Sequence, residues 1–175
     1  MPRVFLAVLT AVLTSGVACD PSPSGPDFTG PPYFHATIDG VTWSPTNVSA
    51  VCENYALVIR AGRTPSGSAT LFLTIGEMRS PGTYTIADDT TGRFAQMWDT
   101  LSTLVAQSSA QAPGTFKVSG LDEADSIVVG QFAVPLTPGR PPSTQTMISG
   151  AFRLPYRIVG SATYPNGTPC YGGAT

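Results

Sequence analysis

Large apolar side chains alternate with small or polar ones through three successive pieces of residues 114–154. Phe116 and Val118 share one face, with Thr115, Lys117 and Ser119 on the other. Val129-Gly130-Gln131-Phe132-Ala133-Val134 follows, and then Ile148, Phe152 and Leu154 oppose Met147, Ser149, Ala151 and Arg153. A period of two sends alternate side chains to opposite faces of a strand, so each piece predicts a strand with one buried face. Three such strands in order, each bounded by turn residues, predict an antiparallel meander.

The same pattern recurs upstream. Residues 33–38 and 41–43 flank Asp39-Gly40, a two-residue hairpin signal. Residues 48–52, 55–61, 70–75 and 84–87 add strand-sized pieces, separated by turns such as Ser80-Pro81-Gly82. Residues 136–143, with Pro138, Pro141 and Pro142, read as a long connection. Residues 93–107 fit either period. Phe94, Met97, Trp98, Leu101, Leu104 and Val105 form a helical stripe. Thr100, Ser102, Thr103 and the strand-like neighbours argue the other way. The whole predicts an all-β domain over residues 33–160, an antiparallel β-sandwich or small β-barrel of about nine strands in meander order.

The leader gives an address. Arg3 carries one positive charge, and an apolar run from Val4 to Leu13 is broken only by Thr10. Ser15-Gly16-Val17-Ala18 then precede Cys19. This is the pattern of a secretory signal peptide over residues 1–18, too short to span a bilayer. The cut site resembles a bacterial lipobox, with Cys19 as the residue that takes the lipid. Gly16 departs from that pattern, which usually has Leu there. Ordinary cleavage after Ala18 would use the same bond.

Export changes the meaning of the three cysteines, because thiols in an oxidising compartment tend to pair. A Cys52–Cys170 disulfide and a lipid thioether on Cys19 account for all of them. The alternative leaves Cys52 as a buried thiol and Cys170 as a tail thiol. Residues 19–32 form a Pro/Ser/Gly tether, disordered or extended, and residues 161–175 a Gly/Pro tail.

Charged residues make up 11% of the 175, the net charge is -2 and Lys117 is the single lysine. With no basic patch there is no electrostatic source for phosphate binding, so nucleic acid is excluded as a partner.

Ala36-Thr37-Ile38-Asp39-Gly40-Val41-Thr42-Trp43 resembles A-x-I-(D/N)-G-x-x-W, the domain opening in a family of β-rich lipoproteins of bacterial envelopes. Gly82-Thr83-Tyr84 and the spacing Gly114-Thr115-Phe116…Gly130-Gln131-Phe132 are similar too, and together the matches span most of residues 33–154. The resemblance implies an antiparallel β-domain and an envelope address. It also favours two strands over residues 93–107. It carries no activity and no catalytic residues.

Candidate chemistry is sparse. His35 is the only histidine, so no second one could complete a zinc site. It alone could serve as the base of a serine triad, and no Gly-x-Ser-x-Gly elbow occurs. Asp88-Asp89 and Asp122-Glu123-Asp125 match no calcium loop and read as solvated turn charges. Trp43, Trp98, Tyr84 and Phe72 are candidates for a pocket or a carbohydrate surface, although strand aromatics are more often core. Phe72 lies opposite Leu71, Leu73 and Ile75 in the alternation.

The function expected from these residues is that of a lipid-anchored bacterial envelope protein, on the periplasmic or outer side of a membrane. Its non-enzymatic β-domain binds a partner or serves as structure, without metal or cofactor. The alternative is a lipocalin-like carrier of a small apolar ligand. The interior separates the two, since a carrier needs an open-mouthed apolar cavity of roughly a few hundred Å³.

Overall fold

Burial follows the alternation almost residue by residue. In the strand Ala69–Ile75, the side chains of Ala69, Leu71, Leu73 and Ile75 are buried, and those of Thr70, Phe72 and Thr74 face outward. The computed structural model describes residues 25–53, 56–64, 69–78, 80–139 and 144–159. The expectations for the leader, Cys19 and the tail with Cys170 lie outside the described residues.

Eleven strands are present among the described residues, two more than the alternation predicts. They are β1 (Tyr33–Ile38), β2 (Val41–Trp43), β3 (Val48–Glu53), β4 (Ala56–Arg63), β5 (Ala69–Ile75) and β6 (Gly82–Ile86). Then come β7 (Arg93–Asp99), β8 (Leu104–Gln107), β9 (Gly114–Asp122), β10 (Ile127–Pro138) and β11 (Thr146–Val159). The only helical element among the described residues is a 3-10 turn at Asp89–Thr91. Residues 93–107 are thus two strands, β7 and β8. The stripe of apolar residues fails as a helix because β5 and β8 pair along the two edges of β7, with Ala95 pointing inward and Phe94, Gln96 and Trp98 pointing out. β10 also runs on to Pro138, so part of the stretch read as a connection is strand.

The pairings close on themselves. β10 pairs with β11, β11 with β3, and the order continues through β4, β5, β7 and β8 back to β10. β1 and β2 extend one side of this ring from β11, and β9 and β6 extend the other from β10. The ring is that of a small barrel, with one wall widened into a second sheet. The long strands belong to both sheets, and a proline sits near each change of partner. Pro155 is the last residue of β11 paired with β10, before the pairing with β3 begins at Tyr156. Pro135 lies between the part of β10 paired with β9 and the part paired with β8. A proline has no N–H to donate, so it fits where the ladder is handed from one neighbour to another. The β11–β3 pairing is parallel and departs from the antiparallel meander. It closes the ring, because β11, the last of the described strands, lies beside β3.

The β1–β2 hairpin turns at Asp39 and Gly40, with φ of 49° and 83°. Positive φ at both positions is the mirror-type turn that an Asp-Gly pair favours and that matches strand twist.

The core centres on four phenylalanines. Phe34 stacks on Phe132 at 5.6 Å between centroids, Phe132 on Phe116 at 6.3 Å, and Phe116 packs on Phe152 at 5.4 Å. Two of them face glycines across the β10–β11 ladder: Gly130 pairs with Phe152, and Phe132 with Gly150. A Cβ on Gly130 would sit 2.6 Å from the Phe152 ring, and one on Gly150 would sit 2.8 Å from the Phe132 ring. Each ring therefore lies flat over the bare backbone opposite it. Leu57, Ile59, Leu71, Leu73 and Ile75 fill the other half of the interior.

Residues 26–31 are extended but not free. Pro26 and Phe28 lie over Gly120, so closely that a Cβ there would strike both. The second half of the stretch read as a tether is a strap on the sheet.

Candidate functional site

The outward face of the strands β3, β4, β5 and β7 carries the densest set of recognition-type side chains. Register builds it in rows. Ser49 pairs with Arg60, Arg60 with Phe72, and Phe72 with Gln96. On one side lies the row Arg63, Thr70, Trp98, and on the other the row Val51, Val58, Thr74, Phe94. Arg157 of β11 joins the latter row beside Val51. Three half-buried aromatic side chains, Phe94, Phe72 and Trp98, thus share one face with three exposed arginines.

These groups are held in place. The Arg60 guanidinium lies over the Phe72 ring, 5.1 Å from its centroid. The Trp98 indole N–H donates to Gln96 Oε1 at 3.1 Å, which fixes the ring's rotation. A bulge between Ala61 and Arg63 shifts the β4 register. A shallow depression of about 400 Å³ results, lined by Asn47, Ser49, Arg60, Arg63, Thr70 and Phe72.

The other aromatic candidates lie elsewhere. Trp43 is core: it packs edge-on against Phe34 at 5.7 Å, and its indole N–H donates to the Arg63 carbonyl at 2.8 Å. Tyr84 is half-buried, its hydroxyl donates to the Ser80 carbonyl, and Arg93 lies 5.3 Å over its ring. The structure therefore brings Phe72 and Trp98 together and separates them from Trp43 and Tyr84. Sequence reasoning missed Arg60, Arg63, Phe94 and Gln96, because only the register across three strands aligns them.

His35 stacks on Tyr33 at 5.4 Å, and its Nδ1 is hydrogen-bonded to Ser44 Oγ at 2.8 Å, on the opposite sheet. Asp122 Oδ1 accepts the backbone N–H groups of Ala124 and Asp125, and Asp88 Oδ1 accepts the Thr90 hydroxyl. These are turn-forming contacts. No group of three or more His, Cys, Asp or Glu side chains is placed to hold a metal among the described residues. Burial pushes the Tyr156 hydroxyl pKa up, and the carboxylates of Glu123 and Asp122 add to the shift.

Cys52 is buried in β3 at 1% exposure, and its sulfur is not a free thiol. Cys19 and Cys170 lie outside the described residues.

Arg153 is the buried cation. Its Nε and Nη2 donate to the Pro31 carbonyl at 3.2 and 2.7 Å, and its guanidinium lies 5.3 Å over Tyr33. Asp27 Oδ2 stands 3.7 Å from Nη1. Hydrogen bonds from the Thr29 hydroxyl and N–H hold the Asp27 carboxyl below its usual pKa, and Arg153 adds to the effect.

A domain family described as "Domain of unknown function (DUF6252)" matches residues 30–155, more than half of the chain and nearly all of its strands. The chain belongs to the DUF6252 family. No curated protein and no solved structure matches it. The match begins at Gly30, the glycine whose φ of 94° lets the backbone turn under the Arg153 guanidinium. The DUF6252 domain thus starts in the strap, upstream of the first strand.

Proposed function

We propose that this DUF6252 protein is a lipid-anchored protein of a bacterial envelope, held by a lipid on Cys19, whose β-domain is a non-enzymatic binding or structural module. The observation that carries the choice over a lipocalin-like carrier is the filled interior. The four stacked phenylalanines and the Leu/Ile half of the core occupy the space where a carrier would hold its ligand. Three depressions among the described residues lie on the outward faces of the sheets or beside the strap.

The leader supplies the address, and the strap sets the geometry. Six residues lie between Cys19 and Pro26, and the seven residue steps reach at most about 25 Å when fully extended. An anchor on Cys19 therefore keeps the domain close to the membrane. A Cys52–Cys170 disulfide fits the same address. Ile158 pairs with Cys52 and Val159 with Glu53, so the tail begins beside Cys52.

Labelling cells with a fatty-acid analogue tests the anchor. The wild-type protein takes the label and sediments with membranes, and Cys19→Ser loses both properties. A wild-type protein that stays unlabelled and soluble overturns the reading.

A further inference from the structure

From the aromatic and arginine-bearing face of β3, β4, β5 and β7 we infer that the domain binds an anionic polysaccharide, a chain of pyranose rings bearing carboxylates. The inference rests on the reading of the domain as an exported binding module, and it names the partner.

Three properties of the face point to that ligand. The first is the flat aromatic surface. Phe72 and Trp98 sit on adjacent strands one diagonal step apart, through the Phe72–Gln96 and Thr70–Trp98 pairs. Diagonal neighbours on a sheet are about 7–8 Å apart. The Trp98 ring, together with the Phe72 face that Arg60 does not cover, can offer π surface to the C–H face of a sugar. The Trp98 ring is already fixed by Gln96, so little side-chain freedom is lost on binding.

The second is charge. The protein carries a net charge of -2, yet register gathers Arg60, Arg63 and Arg157 on this one face. Glu53, at the far end of β3, is the one carboxylate the register puts there among the described residues. Arginine presents a planar fork that matches a carboxylate, and it stacks on aromatic rings, as Arg60 does on Phe72. A polymer with one carboxylate per ring or per pair of rings meets both groups at once.

The third is the polar filling. Ser49, Thr70, Thr74 and Gln96 are interleaved with the aromatic side chains. These hydroxyl and amide groups suit a hydroxylated ring better than the apolar anchor of a protein partner, which seeks a desolvated pocket. The face is shallow and spans several strands at about 4.8 Å each, so it suits an extended chain more than an enclosed small molecule.

The test is affinity electrophoresis of the full chain in detergent, through native gels cast with polygalacturonate, neutral dextran or single-stranded DNA. Retardation by polygalacturonate alone is expected. It should fade at about 1 M salt, where the Debye length falls to about 3 Å. Arg60→Gln and Trp98→Ala should each weaken binding by about tenfold or more, a change of about 1.4 kcal/mol. Thermal melting of each variant reports its folding, and Arg60→Gln removes an exposed side chain from a surface position. Lys117→Gln, on the other sheet, should bind as the wild type does. Absence of retardation by polygalacturonate, equal retardation by DNA, or wild-type binding by folded Arg60→Gln and Trp98→Ala each overturns the inference. The labelling experiment is independent, so failure here would leave the envelope address standing.

Discussion

Replacing Arg153 with alanine should free the strap from the domain. The side chain is 9% exposed, although it lies on the outward side of β11, because residues 27–31 cover it. Its main loss is the pair of N–H donors to the Pro31 carbonyl. A hydrogen bond involving a charged group contributes about 1.5–3 kcal/mol. The contact over Tyr33 adds about 0.5–1 kcal/mol. The ion pair with Asp27 adds little, since that carboxylate is 73% exposed and solvent screens it. The expected destabilisation is about 2–4 kcal/mol, concentrated in the strap, with a melting temperature lower by about 4–15 °C. Arg153→Lys keeps the charge but loses the fork, and should fall between the wild type and the alanine variant. Asp27→Asn should leave the stability close to that of the wild type, because solvent screens that exposed carboxylate. Urea unfolding of the full chain in detergent measures the stability, and limited proteolysis with mass mapping reads the strap directly. Cleavage within residues 25–32 should accelerate in Arg153→Ala before the sheet is cut. A variant within about 0.5 kcal/mol of wild type, with the strap still protected, would refute the reasoning.

Gly130→Ala should destabilise the domain by about 1–3 kcal/mol, because its Cβ would enter the Phe152 ring and the packed core would have to shift; equilibrium unfolding measures it. The Cys52–Cys170 bridge predicts no free thiol in the unreduced, denatured chain when Cys19 carries its lipid. Two free thiols under those conditions would reject the bridge. Reduction should cost about 4–5 kcal/mol in the chain-entropy account of a loop of over a hundred residues.

Much of the fold was legible along the chain. The faces of β5, β9 and β11 follow from period-two alternation, since burial of one sheet face leaves the side chains no other phase. The β1–β2 turn follows from Asp39-Gly40, because few residue pairs accept two positive φ values. These are local properties, set by neighbours in sequence.

The rest depended on pairings between distant segments. No periodicity announces that β11 lies parallel to β3, because strand neighbours are chosen by how the ring closes. Residues 93–107 satisfied both periods, and the helix lost once both edges of β7 had strand partners. The two extra strands, β7 and β8, both come from that ambiguous segment. Arg153 looked like an outward polar residue of a strand. A strap 122 residues earlier buried it. Arg60 and Phe72 sat in ordinary alternating patterns, Phe94 and Trp98 in the segment that fits both periods, and Arg63 just past the predicted strand 55–61. Sequence fixed which way each side chain points from its own strand, because alternation is a local constraint. Register between strands decided which of them meet, because that is set by ring closure and the packing of a shared core.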